Sequence, residues 1–429
     1  VGSVKRTLER QFDLKAHGTT VRREVMAGLV SFVTGVHIVV VNARLMAEAG
    51  IPLAAASVAT ALAAGAGSLA MGLWANAPLM TVTGLGDAAI FAFTLVQGMG
   101  LRWQDALGVV AAAGLLCAAL AFSPAVHGLL RGIPASLKAA TSAGIGLFLA
   151  FIGLRQGGVI VSGGANLVAL AKLGEPAVVL TLVTLAVAVV LYVRRVPGAF
   201  LISIAAGTLL AWVSGHAGGA GIEPPSLAAY AEVAGALSLR RIATLPFWAA
   251  TFSLALVVLF ENLGLMYGLL PQKEKFPRAL QATSLAVVTA SLLGGTPTVA
   301  AGESAAGIAA GGRTGLTAVT AGVLFLAVLA ALPLVGLIPS SAVAPVLVLV
   351  GALMCEPLRS IPFDDLTEAI PAFLVILLIP LTFSVADGIA FGLVAYPLVK
   401  AAAGRWREVS PAMYAVAGLF LLYFVTRAI

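Results

Sequence analysis

Two stretches decide the fold: residues 78–98, PLMTVTGLGDAAIFAFTLVQG, and residues 296–312, TPTVAAGESAAGIAAGG. Each opens on Thr, Val and Pro, passes through Gly, and turns helical at an acidic residue, Asp87 in the first and Glu303 in the second. Both lie among apolar runs, so each reads as a broken span, an extended half followed by a half-helix. Extended backbone survives at membrane depth only where it is paired or lines a cavity. Placed face to face, the two stretches pair with each other and aim two helix N-termini at one midplane site.

The surrounding sequence supports a membrane setting. Of 429 residues, 60% are apolar and 10% charged, whereas a soluble domain carries roughly a quarter charged. With mean hydropathy at +1.06 and about 20 apolar residues needed per crossing, the chain holds about 14 spans. Pro, Gly and charge divide it near residues 25–47, 53–74, 102–122, 135–154, 176–193, 198–214, 244–270, 279–294, 315–333, 341–357, 366–382 and 384–401, besides the two broken spans. The expected fold is an all-α polytopic membrane protein. A further apolar run, 411–426, reads as a fifteenth span or an interfacial helix.

Other classes find little support. Cys117 and Cys355 lie in apolar runs and suit neither a disulfide framework nor a cysteine metal site. His17, His37, His127 and His216 share no ligand spacing, so no metal is expected. The net charge of +7 comes from basic residues dispersed in short loops without interleaved aromatics, which argues against nucleic acid. With the N-terminus inside, Arg44, Arg102, Arg155, Lys172, Arg240 and Arg241 fall outside while the inside set, from Lys5 to Arg407 and including Arg131, outnumbers them about three to one. The first twenty residues are polar and lack the apolar core of a signal peptide.

The halves echo each other. VTGLGDAA (82–89) aligns with TVAAGESAA (298–306), IPASLK (133–138) with IPSSAV (338–343), and PGAFLISIAAGTLLA (197–211) with DGIAFGLVAYPLVKA (387–401). Seven spans per half is an odd number, so the copies are inverted. The expected organisation is a cytoplasmic segment 1–20, a first repeat 21–215, a connecting loop 216–243, a second repeat 244–402 and a C-terminal segment 403–429.

An ionisable group at membrane depth costs about 2.5–3.5 kcal/mol on insertion scales, so each is a functional candidate unless it lies at a span end. Glu24, Arg102, Asp105, Lys138, Arg155, Glu356, Arg359, Asp364, Asp365 and Glu368 lie at ends or in loops and read as solvated or snorkelling. Asp87, Glu261, Glu303, His37, Arg44 and Asp387 remain. For Asp87 and Glu303 the competing reading is a helix N-cap. For Glu261, deep in LVVLFENLGLMYG, it is pairing with Arg44 or His37. Arg44 reads as snorkelling near the outer end of the first span, and Asp387-Gly388 as a turn. His37 reads equally as core or as pocket wall. The functional reading is that Glu261 and Glu303 hold a flat polar ligand and carry a proton, with backbone N–H groups near Gly86 and Gly302 as donors.

At these residues the sequence resembles the AzgA-type purine permeases of the nucleobase:cation symporter-2 family. FDLKAHGTTVRREVMAGLVSFVTG, GLWANAPL, IPASLKAATSAGIGLFLAFIGL, GESAAGIAAGGRTGLTAV and DDLTEAIPAFLVILLIPLTFSVADGIAFGLVAYPLVK carry the likeness through most of the chain. The resemblance implies a UraA-like arrangement of 14 spans in two inverted seven-span repeats, with core and gate domains and a homodimer. It further implies import of adenine, guanine or hypoxanthine across a bacterial inner membrane. The proton motive force drives this import without a cofactor, and substrate sits between the third, eighth and tenth spans. Carried over by position, the tenth-span glutamate is Glu303. The eighth-span acid, commonly Asp, is Glu261, with Leu265 where a Thr is expected. The third-span position, commonly Asn, is Asp87, and the Asn-Pro ending the first span is Asn42-Ala43, followed by Arg44. These departures fall where substrate sits, so another heterocycle, or an anion carried by the same fold, is the alternative ligand.

Overall fold

A computed structural model describes residues 2–123, 134–163, 166–196, 198–216 and 227–428. His127, Arg131, Pro197 and part of the expected connecting loop, 217–226, lie outside the described residues. In chain order the main helices are α1 (Gly2–Gln11), α2 (Val21–Gly35), α3 (His37–Glu48), α4 (Leu53–Ala75), α5 (Leu85–Ala89), α6 (Trp103–Ala121), α7 (Ala135–Gln156), α8 (Pro176–Val193), α9 (Ala199–Val213), α10 (Leu227–Ala231), α11 (Leu245–Leu269), α12 (Phe276–Leu292), α13 (Ser304–Ala309), α14 (Gly315–Ala327), α15 (Ser340–Met354), α16 (Leu366–Thr382), α17 (Val385–Ala402) and α18 (Pro411–Ala428). Four short strands punctuate them: β1 (Thr81–Thr83), β2 (Ile160–Gly163), β3 (Asn166–Leu170) and β4 (Thr298–Ala300). Among the described residues eight helical segments are long and apolar enough to cross a membrane, and further apolar helices are shorter.

The helices pack as two groups. One gathers α2, α3, α4, α6 and α11–α14; the other gathers α7, α8, α9 and α15–α17. Lipid gives apolar helices little reason to prefer each other over acyl chains, so close approach of small residues takes over. α4, with its many Ala, Gly and Ser, serves this role against α12 and α14. On α2, a Cβ at Gly28 would lie 2.5 Å from Thr320 Cβ and 2.6 Å from the Thr317 carbonyl oxygen. Gly28→Val is therefore expected to push α2 off α14 and cost about 1–3 kcal/mol. Thermal unfolding in detergent reads this as a lower midpoint; an unchanged midpoint would show that the contact is dispensable.

At the centre of the first group β1 and β4 pair antiparallel, Thr81 opposite Ala300, Val82 opposite Val299 and Thr83 opposite Thr298. Gly84 N–H donates to Pro297 O at 3.2 Å and Ala301 N–H to Met80 O at 2.9 Å, which lengthens the ladder at both ends. A two-stranded ribbon leaves two outer edges that lipid cannot satisfy. Ser68 of α4 covers one, donating to Thr81 O at 3.0 Å and accepting from Thr81 N–H at 2.9 Å. Asn262 of α11 covers the other, its Oδ1 accepting from Ala300 N–H at 2.9 Å. Asn42 of α3 joins both approaches: its amide donates to Thr60 at 2.7 Å and Thr83 at 3.5 Å and accepts from Thr296 at 3.0 Å. Beyond β1 the chain turns into α5 and continues as a π-helix over Ile90–Gly98.

Glu24 and Glu368, assigned from sequence to solvated span ends, are covered by partners instead. Glu24 is 0% exposed and its carboxylate accepts from Arg313 N–H, Thr314 N–H and Thr317 Oγ1 at 3.0, 3.1 and 2.6 Å, closing the start of α14. Lys400, 1% exposed, pairs with Glu368 at 2.9 Å and Glu408 at 3.0 Å. Ser136 and Tyr396 also donate to Glu368, tying α7, α16 and α17 together. Beside this cluster, bonds from Thr367 and Arg405 hold the Asp365 carboxyl well below the usual carboxylate range. Arg44 does not snorkel: its guanidinium donates to the carbonyl of Ile338. The turn expected at Asp387-Gly388 falls earlier, at Phe383, whose φ of 54° is left-handed; Asp387 lies in the first turn of α17 and its N–H donates to Ser384. α18 packs on α17 and α11, with Phe391–Phe424 and Phe252–Phe420 ring pairs at 4.6 and 6.0 Å.

Candidate functional site

Between the two helix groups lies a cavity of about 1090 Å³. Its inner end is the ribbon and the two helix starts that follow it: Val82–Gly86 from the first broken span and Val299–Glu303 from the second. One side is α11, through Val257, Phe260, Glu261 and Leu265. The opposite side belongs to the other group, through Lys138, Thr141, Ser142 and Ile145 of α7, Tyr192 of α8, Phe200 of α9 and Leu353 and Met354 of α15. The volume slightly exceeds the roughly 300–1,000 Å³ usual for a small-ligand pocket, as suits a site with an approach attached.

The cavity brings together Glu261, Glu303, Gly86 and Gly302. Glu303 stands at the N-cap position of α13, yet its side chain makes no capping bond. Thr34 of α2 donates to its carbonyl at 3.3 Å and fixes that junction from the side. The first intrahelical bonds of the two helix starts run from Ala88 N–H to Gly84 O at 2.9 Å and from Ser304 N–H to Ala301 O at 3.1 Å. The N–H groups before them have no intrahelical partner, as at any helix start. Gly86 leaves no room for a side chain: a Cβ there would lie 2.7 Å from Ile145 Cγ2. Two carboxylates that accept and several N–H groups that donate thus face one apolar, partly aromatic chamber. Tyr192 and Phe200 stack at 5.6 Å with 20° between their planes, presenting a flat wall.

Two residues expected to touch a ligand do not line the cavity. Asp87 is 0% exposed and, one position past Gly86, turns its carboxylate away behind the wall. It is not an N-cap either, because Gly84 holds that position and no side-chain capping bond is made. His37 is also 0% exposed; its Nδ1 bonds to the Thr34 carbonyl at 3.0 Å and its ring lies 4.8 Å from Phe200, so it backs the aromatic wall. Neither His37 nor Arg44 bonds to Glu261, so the competing reading of that acid as a paired charge gains no support.

Lys138 was missed. It was read as a span-end residue, but it lines the cavity, with its Nζ 5.6 Å from the centre of the Phe260 ring. A signal existed: Lys138, Thr141, Ser142 and Ile145 share one face of a helix at spacings of three and four. Asn262 follows Glu261 in the chain, and its bond to the ribbon has no sequence signature.

A ligand-sized chamber between two helix groups, floored by paired broken spans and faced by half-buried carboxylates, defines a membrane carrier. Known proteins place it further. Residues 22–391 match the model of the Permease family, Xan_ur_permease. The chain is 44% identical over 383 residues to the nucleobase transporter PlAzg2 of Paenibacillus larvae, covering 88% of this chain and 77% of that one. Over 431 residues it is 40% identical to the adenine permease AdeP of Escherichia coli, covering 97% and 96%. Over 426 residues it is 40% identical to the guanine/hypoxanthine permease PbuO of Bacillus subtilis, covering 96% and 99%. The chain belongs to this permease family, as an AzgA-type member of the nucleobase:cation symporter-2 group, and is a transporter rather than an enzyme. Among solved structures it resembles the transmembrane domain of a cyanobacterial bicarbonate transporter, BicA, with TM-score 0.67 and 18% identity, covering 85% of this chain and 96% of that one. It also resembles SLC26A9, with TM-score 0.66 and 12% identity, covering 88% and 65%. At such identity the likeness concerns the fold alone, a helical polytopic membrane transporter.

Proposed function

We propose that this carrier is a proton-coupled symporter importing a purine base, adenine, guanine or hypoxanthine. Its two helix groups act as core and gate in an elevator-like cycle. The observation that carries the reading is the convergence of Glu261 and Glu303 on one cavity beside the paired helix starts. A purine presents N–H groups that a carboxylate accepts and ring nitrogens or a carbonyl that backbone N–H groups and Lys138 serve as donors. Its flat faces suit Phe200 and Tyr192. Protons are the coupling ion, carried on Glu261 and Glu303, and the proton motive force takes the place of any cofactor. The same reading gives the chain 14 spans in two inverted repeats, an N-terminus in the cytoplasm, a bacterial inner membrane as its lipid setting and a homodimeric state. The names of the relatives, which include adenine and guanine/hypoxanthine permeases, support the substrate class.

An anion of similar size is the competing cargo. Glu261 and Glu303 disfavour it, because an anion site uses helix N-termini without carboxylates facing them. Another heterocycle stays open through Leu265, which lines the cavity where the family resemblance calls for a hydroxyl.

Uptake of labelled adenine, guanine, hypoxanthine, xanthine and uracil, in cells lacking their own permeases and with and without a protonophore, tests the reading. Concentrative purine uptake that the protonophore collapses is expected. Uptake of none of these bases, with chloride or sulfate flux instead, overturns it.

A further inference from the structure

Asp87 is an acid, read from sequence at membrane depth, that the proposed cycle does not use. Its side chain is 0% exposed, and neither Oδ1 nor Oδ2 has a hydrogen-bond partner among the described residues. A buried charge left without donors is among the costliest arrangements a protein can hold. The carboxylate nevertheless sits very near the cavity. A Cβ built on Gly84 would lie 2.7 Å from Asp87 Oδ2, so the carboxylate lies directly against Gly84, which itself lines the cavity. The wall between Asp87 and the ligand chamber is thus one residue without a side chain.

The groups around it are few. Glu261 of α11, on the cavity side, feels its charge directly, as does Cys117 of α6. α7 packs against α5 and brings Lys138 to the same cavity. α3 also packs against α5, but His37 faces Phe200, Arg44 bonds the Ile338 carbonyl and Glu48 is exposed. A metal cation would require several oxygen ligands around it, and among the described residues no group of three or more His, Cys, Asp or Glu could hold one. The ligand that fits a lone, unpartnered carboxylate is a proton.

We propose that Asp87 is a further proton-binding site of the carrier beside Glu261 and Glu303, exchanging with the ligand cavity past Gly84 and working together with Glu261. Asp87 of α5 and Glu261 of α11 stand on helices that pack against each other, so the two carboxylates take up and give back protons as a unit. On loading, a hydronium in the cavity gives its proton to a carboxylate oxygen and leaves as water; on release the O–H bond breaks and water takes the proton back. The proposal rests on the proton-coupled reading above and adds to it one further proton per cycle.

The test is the proton-to-base stoichiometry, measured in proteoliposomes as the membrane potential that just balances an imposed base gradient. Wild type is expected to move one proton more per base than Asp87→Asn. One transported charge is worth about 2.3 kcal/mol per 100 mV, so the variant's steady accumulation ratio falls about 50-fold for each 100 mV of driving force. Asp87→Leu, checked like Asp87→Asn for monodisperse elution in detergent, gives the same loss. Equal stoichiometry in wild type and either folded variant overturns the proposal. A wild-type ratio of one proton per base overturns it without reference to any variant. Wild-type base uptake with no proton dependence removes the reading of the preceding section and this one with it, whereas an unchanged ratio in the variants removes this one alone.

Discussion

Glu303→Gln abolishes accumulation of base above the external level, while the protein still folds and inserts. Gln fills the same volume at the start of α13 and leaves the Thr34 bond to the backbone carbonyl in place. Two properties are lost together. An amide cannot take and give back a proton, so the proposed coupling fails at this position. It also replaces an acceptor that, when ionised, makes a hydrogen bond worth about 1.5–3 kcal/mol by one worth roughly 1 kcal/mol, which weakens base binding by up to about 30-fold. Accumulation of labelled purine across a range of external pH, with a protonophore control, measures both effects. If concentrative uptake and its pH dependence survived the change, the role given to Glu303 would be wrong.

The second large effect is structural. Glu24→Ala removes a carboxylate that closes three bonds at the start of α14, and takes this acceptor from the buried N–H of Thr314 and the part-buried N–H of Arg313. Each abandoned buried donor costs about 1–3 kcal/mol, so a total near 3 kcal/mol is expected. Glu24→Gln keeps one acceptor oxygen and should fall between the variant and the parent. Thermal inactivation of the purified protein in detergent ranks the three; an Ala variant as durable as the parent would mean that water or backbone movement replaces the bonds.

The broken spans were legible because their cause is local. Thr, Val and Pro followed by Gly and an acid disfavour one continuous helix, and membrane physics leaves such stretches few options beyond pairing. The antiparallel register of Thr81–Thr83 on Thr298–Ala300 is that pairing. Depth was legible too: Glu261, Glu303, Asp87 and His37 were all placed within the bundle. Direction was not. Whether a side chain one residue beyond Gly86 faces the cavity depends on how the half-helix is rotated, and neighbouring helices set that rotation. The same limit hid Glu24 and Glu368, since a charge near a span end reads as solvated until the partner that covers it is known. Arg313 and Thr314 lie almost three hundred positions from Glu24, a distance no local pattern bridges.

The short ribbon also limits how this molecule can change shape. Its outer edges are closed by Ser68 and Asn262, and its ends by the Gly84–Pro297 and Ala301–Met80 bonds. Prising β1 from β4 would strip a row of backbone dipoles of their partners. The two helix starts therefore behave as a single rivet and cannot part like the jaws of a clamp. In the proposed elevator-like cycle this riveted floor travels whole past its surroundings, so the cradle that receives a solute on one side is the same unaltered cradle that surrenders it on the other.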